Sequence, residues 1–219
     1  MNSRPVIILC ALTREAKAIE RAWRVVRRRT GGRIEFEPEV RVIGVRGSRL
    51  GRIARPSNDA AVIVAGLAGG LGPALPRWTV VLDDEAGEVE NDPGDVHIGR
   101  IMTSTEVLAT PEAKRAAWQA SGAACVDMEQ GVVAAWLGRP VVGVRVVFDD
   151  ANTALPEAIT RISNDVGGVR VGALAKYLVT NARGVPRLME LGRQSSNALT
   201  VLGGATVLIA SLVGRPRAN

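Results

Sequence analysis

The chain has 219 residues, of which 47% are hydrophobic and 23% are charged, and its formal net charge is +6. This length suits one α/β domain or one large sandwich, and the apolar content excludes long-range disorder. Two cysteines exclude a disulfide scaffold, and the few scattered aromatic residues lack the pattern of a nucleic-acid-binding surface, so we expect no nucleic-acid partner.

The first half of the chain alternates predicted strands and helices. Apolar or alternating runs predict strands at residues 5–12, 40–45, 60–65 and 79–82. Thr13 is predicted to cap a helix that runs to about Arg28. The third strand ends in a glycine-rich segment at residues 66–70, which we interpret as a loop, and residues 83–95 form an acidic loop with turn signals.

The second half continues this alternation. Strands are predicted at residues 98–104, 123–126 and 140–147. Helices are predicted at residues 111–121, about 128–137 and 169–181, with one or two more after an interruption at 184–186. This order favours one α/β domain over residues 1–219, a three-layer αβα fold around a mostly parallel or mixed central sheet.

Residues 195–214 are predicted to form an apolar C-terminal helix. The run Ala198 to Val213 is nearly uncharged, but a bilayer span needs about 20 apolar residues. A buried terminal helix is therefore the first interpretation, and a helix lying in a membrane interface is the alternative. No secretory signal is recognised, so we expect a cytoplasmic protein, with association at the inner face of the membrane as the alternative.

Three carboxylates follow predicted strands, at Glu15, Glu129 and Asp149. Ligands of α/β sheets bind at the carboxyl ends of the strands, so these acids and the glycine-rich segment are predicted to share one rim. Each acid also has a purely structural interpretation. Glu15 suits a helix dipole, Asp127 or Glu129 suits a helix cap, and Asp149 with Asp150 suits an Asx-turn.

Metal and nucleophile chemistry have less support. His97 is the only histidine, which excludes a His-rich zinc site, and we expect neither a metal nor a cofactor. Cys10 and Cys125 lie within predicted strands and lack the open, electropositive setting that a thiolate nucleophile needs. No G-x-S-x-G elbow is present.

Four segments taken together resemble the nucleoside phosphorylase and nucleosidase superfamily. They are CALTRE at 10–15, AGLAGGL at 65–71, VDME at 126–129 and VRVVFD at 144–149. Further stretches resemble the hopanoid-associated phosphorylase branch, the adenosylhopane nucleosidases. They are GGLGPAL at 69–75, ATPEAK at 109–114, GAACVDME at 122–129, ALP at 154–156 and PRLMELGR at 186–193.

The resemblance implies cleavage of the N-glycosidic bond to adenine, on a lipid-linked nucleoside, which would turn adenosylhopane into ribosylhopane in hopanoid side-chain biosynthesis. Asp149 matches the acid that protonates the purine ring, and Glu15 matches the residue that orients or deprotonates the attacking water. Glu129 matches the carboxylate that binds the ribose hydroxyls. The other matched substrate-binding positions are Met128 at the sugar, Val107 and Leu108 at the base, and Ala68, Gly69 and Phe148.

The chain also departs from the family. Leu67 stands where a Ser or Thr hydroxyl contacts phosphate in phosphate-using members, so hydrolysis and phosphorolysis both stay open. Phe148 stands where the residue before the acid is usually serine, which either crowds the base site or makes it more apolar. The segment between Leu82 and Ile98 is short, which suits a bulky 5′ lipid but equally a non-catalytic nucleoside- or lipid-binding relative. The resemblance implies a nucleoside ligand, with phosphate as an optional second ligand, and a homodimer.

Overall fold

The structure is a computed structural model that describes residues 4–31, 37–155 and 185–214. Its strands are β1 (Val6–Cys10), β2 (Glu39–Val42), β3 (Ala61–Gly70), β4 (Val80–Asp83), β5 (His97–Ile98), β6 (Ile101–Thr103), β7 (Cys125–Asp127) and β8 (Val142–Asp149). Its helices are α1 (Thr13–Arg29), α2 (Pro111–Ser121), α3 (Gln130–Leu137) and α4 (Val185–Val213), with short 3-10 turns at Val45–Gly47 and Leu50–Arg52. The helix predicted at 169–181 lies outside the described residues.

The strands form one mixed sheet in the order β2-β1-β3-β8-β4-β5. The four strands from β2 to β8 run parallel, and β4 runs antiparallel to β8. Strand β7 pairs antiparallel with the last two residues of β3 and parallel with β6. The predicted α/β fold with a mixed central sheet is confirmed.

Helices cover both faces of the sheet. On one face, Ile19 and Trp23 of α1 and Leu202 of α4 pack on β1, β3 and β8. On the other face, Val133 of α3 joins Ile7 and other side chains of β1 and β3. The parallel strands end at the same edge of the sheet. We call this edge the rim, and the segments that follow the strands begin there.

Helix α4 carries the apolar C-terminal run. Its segment Ser195–Val213 is long and apolar enough to cross a membrane, but 44% of that segment is buried within the protein. The side chains of Ala198, Leu202 and Ile209 are fully buried, whereas Leu208 is exposed. This packing matches the interpretation of a core helix.

Two strand predictions were wrong in their extent. Residues 66–70 are not a loop, because β3 continues to Gly70 with β8 on one side and β7 on the other. The predicted strand 98–104 is two strands. The chain changes partner there, since the Gly99 N–H donates to the Leu82 carbonyl while the Arg100 carbonyl accepts from the Ala124 N–H.

Two helix predictions also need correction. Leu12, not Thr13, is the N-cap of α1, and the Glu15 carboxylate accepts the Leu12 N–H at 2.9 Å. The described C-terminal residues form one helix, as the prediction of one or two helices allowed, but Val185 and Pro186 belong to that helix and not to the predicted interruption at 184–186. Pro186 falls in the first turn of that helix, where no backbone N–H is required.

Candidate active site

Glu15 is a buried carboxylate at the start of α1, directly above the middle of β3. Its Oε2 accepts the Leu12 N–H at 2.9 Å, and its Oε1 accepts the Leu67 N–H at 3.2 Å. A Cβ at Gly66 would come within 3.1 Å of Oε1, so glycine is needed there for the close approach. Burial raises the pKa of Glu15 above its usual value, and the two backbone N–H donors oppose this shift.

Glu129 is a second buried carboxylate, just before α3. Its Oε1 accepts the backbone N–H of Arg46 at 2.9 Å. Arg46 has a φ of +55°, an unusual backbone conformation for a residue other than glycine, which is concentrated at functional sites. Burial raises the pKa of Glu129 to about 7, and the negative charges of Asp127 and Glu15 add to this rise.

Asp149 is the third buried carboxylate and the last residue of β8. The register of β3 and β8 shifts between Ala68 and Gly69, so that Gly69 pairs with Asp149 and Phe148 is left over as a bulge. Such bulges re-aim side chains and are frequent beside active sites. A Cβ at Gly69 would lie 3.5 Å from Asp149 Oδ2, which places this carboxylate against β3 as well.

The Asp149 carboxylate forms a buried ion pair with Lys114 of α2. Burial raises the pKa of Asp149 above its usual value, and the charge and hydrogen bond of Lys114 oppose the rise. The neighbouring Asp150 makes the expected Asx-turn, since its Oδ1 accepts the Asn152 N–H at 3.1 Å. Asp149 itself is left out of that turn.

A fully buried ion pair joins β8 to β7. Arg145 of β8 pairs with Asp127 of β7 and also donates to the Val64 carbonyl. Asp127 accepts the Gln130 N–H at 2.8 Å, so it is the acid that caps α3. The positive charge of Arg145 reaches both Glu15 and Glu129, and it opposes the rise that burial imposes on the pKa of each carboxyl.

Two contacts relate these carboxylates to β3. The Glu15 carboxylate lies beside Gly66 and the Asp149 carboxylate lies beside Gly69. Both carboxylates therefore lie against the carboxyl-terminal half of β3, at positions three residues apart along the strand.

The remaining predicted site residues are distributed over β3, β8, the residues after β7 and the segment before α2. Ala68 and Gly69 are in β3, and Phe148 is half-buried on the α1 side of the sheet. Met128 is half-buried and lies between Asp127, the last residue of β7, and Glu129, which directly precedes α3. Val107 and Leu108 are half-buried in the segment before α2, whose Ala109 carbonyl accepts the Leu155 N–H at 2.8 Å and so borders the loop after β8.

Sequence reasoning missed Lys114 and Arg145. Two features could have drawn attention to them. Arg145 interrupts an otherwise apolar strand. Lys114 shares the inward side of α2 with Ala117, three residues later. Arginine and lysine are almost never fully buried unless they are paired. Arg46 was missed too. It contributes its backbone N–H to Glu129, and a backbone group cannot be recognised from the residue type.

Neither a metal site nor a thiolate nucleophile is found in the described ranges. No group of three or more His, Cys, Asp or Glu side chains in residues 4–31, 37–155 and 185–214 could hold a metal ion. Burial raises the pKa of the Cys125 thiol to about 12 and also raises that of Cys10. Both thiols therefore stay protonated at neutral pH.

Several solved nucleosidases share this fold. The 5′-methylthioadenosine nucleosidase of Arabidopsis thaliana matches with a TM-score of 0.58 at 15% identity, over 99% of this chain and 98% of that one. The futalosine hydrolase of Helicobacter pylori matches with a TM-score of 0.56 at 14% identity, over 94% and 97% of the two chains. A 5′-methylthioadenosine/S-adenosylhomocysteine nucleosidase from S. pneumoniae was solved with a transition-state inhibitor. It matches with a TM-score of 0.52 at 15% identity, over 92% of this chain and 99% of that one.

The TM-scores of these matches, at 14–15% sequence identity, show a common fold. No protein-family model and no curated protein matches the chain.

Proposed function

We propose that this protein cleaves the N-glycosidic bond between a purine and a ribose, releasing adenine. The observation that carries the proposal is a pair of buried carboxylates, Glu15 and Asp149, against the carboxyl-terminal half of one strand, together with a third buried carboxylate at Glu129. The fold shared with solved nucleosidases supports the same conclusion.

Asp149 is the proposed acid. When the bond from ribose C1′ breaks, its electron pair moves to the purine, and a proton from the Asp149 carboxyl neutralises the charge on a ring nitrogen. Burial raises the pKa of Asp149, which favours the protonated form that the step requires. General-acid help of this kind is worth about 10²–10⁴-fold in rate.

Glu15 is the proposed base and Glu129 the proposed ribose ligand. Burial raises the pKa of Glu15, so its carboxylate is a stronger base toward the attacking water than an exposed glutamate. The Glu129 carboxylate would bind the ribose hydroxyls and stabilise the positive charge that develops on the sugar, with Met128 packed against the ring. The base would lie between Phe148 and the segment of Val107 and Leu108.

Water is the proposed nucleophile rather than phosphate. The position of Leu67 offers no side-chain hydroxyl, and its backbone N–H donates to Glu15. A phosphate at this point would therefore have one hydrogen-bond donor fewer, and the negative charge of the Glu15 carboxylate would repel it. Phosphorolysis becomes the conclusion if ribose 1-phosphate, and not free ribose, is the product.

A lipid-linked adenosine, such as adenosylhopane, is the proposed natural substrate. Leu67 and Phe148 are half-buried apolar side chains near the carboxyl ends of β3 and β8, and residues 84–96 form only a short connection between β4 and β5. Apolar side chains at these strand ends suit an apolar 5′ substituent better than a small polar one. We propose that the protein meets this substrate in the cytoplasm at the membrane face, and that it works as a homodimer.

Adenine release by the purified full-length chain tests the reaction. Adenosine, 5′-methylthioadenosine and an adenosine with a long apolar 5′ chain are compared, and adenine is quantified by chromatography with and without phosphate. We expect Asp149→Asn and Glu15→Gln to lose about 10²-fold or more in kcat, whereas the exposed Glu85→Gln keeps the wild-type rate. Adenine binding without release from any of these substrates would favour the non-catalytic alternative.

The lipid part of the proposal has its own tests. The apolar 5′ chain should raise kcat/KM relative to adenosine, and equal values would remove the lipid substrate while leaving the reaction. Flotation with anionic liposomes tests the membrane contact, with Leu208→Asp as the variant, because Leu208 is an exposed large apolar residue in the part of α4 whose side chains the structure describes. Sedimentation of the free protein tests the dimer.

A further inference from the structure

Lys114 is a lysine with 0% exposure that is bonded directly to Asp149. Besides the Asp149 carboxylate, its Nζ donates to the carbonyl oxygens of Asp150 at 2.7 Å and Thr153 at 2.9 Å. A lysine ammonium has three N–H donors, so these three acceptors satisfy it completely. The side chain thus joins α2 to the end of β8 and to the loop that follows.

Stability alone is a weak reason for such a pair. Taking an ammonium and a carboxylate out of water costs several kcal/mol per ion, and their attraction only offsets this cost. Apolar side chains of similar volume in the same place are often as stable or more stable. A fully satisfied lysine against one particular carboxylate therefore points to a role in the chemistry of that carboxylate.

Lys114 is the dominant cation at Asp149. Within the described part of the chain, the charged groups that act on this carboxyl are Lys114 of α2, Arg77 of the connection after β3, and Asp150. Arg77 is turned toward the neighbouring loop, with its Nε 3.4 Å from Asp150 Oδ2 and its Nη2 2.9 Å from Thr153 Oγ1. Burial raises the pKa of Asp149, Lys114 and Arg77 lower it, and Asp150 raises it.

We propose that Lys114 is the positioning residue of the acid: it holds Asp149 by Oδ2 against Gly69 and presents Oδ1 to the leaving purine. This inference rests on the proposed function. The carboxyl proton moves to the purine nitrogen as the C1′–N bond breaks, and the carboxylate that is left behind gains the full attraction of the ammonium. Lys114 thereby makes the protonated Asp149 carboxyl a stronger acid toward the purine, and it also lowers the fraction of Asp149 that carries the proton at a given pH.

Lys114→Met removes the charge and keeps the length of the side chain. We expect kcat for adenine release to fall about 10²-fold, because the acid loses its fixed position. The alkaline limb of the pH–rate profile should move to higher pH, because the group that lowers the pKa of Asp149 is gone. Arg115 is exposed on the same helix, and Arg115→Met should change neither kcat nor the alkaline limb. A fall in rate with an unmoved alkaline limb would mean a merely structural role and would overturn the inference.

A titration independent of activity separates this inference from the proposed function. The carbon-13 signal of the Asp149 carboxyl, assigned with Asp149→Asn, is followed against pH in the full chain. Its midpoint should rise in Lys114→Met, and in Lys114→Gln if the methionine variant does not fold. An unchanged midpoint refutes the role of Lys114, whereas wild-type adenine release by Asp149→Asn refutes the proposed function instead.

Discussion

Replacing Glu129 with glutamine tests the electrostatics of the site through the stability of the protein. Burial raises the pKa of Glu129 from 4.5 to about 7, and the nearby charges of Asp127 and Glu15 act in the same direction. At about 1.4 kcal/mol per pH unit, this shift corresponds to about 3 kcal/mol of unfolding free energy. The amide of Glu129→Gln cannot ionise, but its oxygen can still accept the Arg46 N–H.

The direction of the effect follows from proton binding. Between pH 4.5 and about 7 the folded protein holds the Glu129 proton and the unfolded chain does not. The unfolding free energy of the wild type therefore falls as the pH rises through this window, and it is highest below it. The variant lacks this loss. We therefore expect its unfolding free energy, relative to that of the wild type, to increase with rising pH, by up to about 3 kcal/mol at about pH 8.

Urea unfolding followed by circular dichroism, at several pH values from about 5 to 8, measures this difference. Glu85→Gln is the matched control, because Glu85 is an exposed acid of the loop after β4 and its variant should follow the wild-type curve. Parallel wild-type and Glu129→Gln curves would refute the reasoning, since they would mean that Glu129 ionises in the folded protein as readily as in water.

Three other perturbations probe the rest of the site. Gly66→Ala places a Cβ within 3.1 Å of Glu15 Oε1 and should lower kcat for adenine release about 10-fold with the fold intact; an unchanged kcat would contradict the role of that carboxylate. Arg145→Met leaves Asp127 buried without its partner and should cost about 3–5 kcal/mol in urea unfolding, while a cost below about 1 kcal/mol would place the pair in contact with water. Burial raises the pKa of the Cys10 thiol, so a thiol reagent should modify it only after unfolding, and rapid labelling of the native protein would argue against a closed core.

The elements that the sequence predicted well are those with local causes. Helix α2 runs from Pro111 to Ser121 as predicted, because proline suits a first turn and Gly122 supplies the left-handed end, with a φ of +66°. The apolar runs of β1 and β8 needed only their neighbours in the chain to be recognised as buried strands. Glu15 and Asp149 were found because each follows such a strand.

The remaining features of the site depend on partners that are distant in the chain. The sequence by itself determined an alternating α/β chain and the three acids at strand ends, because periodicity and residue type are local properties. Only the tertiary structure decided that residues 66–70 are strand, since β7 and β8 complete the hydrogen bonds there, and that a bulge at Phe148 aims Asp149 toward β3. It also decided that Lys114 meets Asp149, because a buried charge is stable only opposite a partner, and folding alone brings α2 and β8 together.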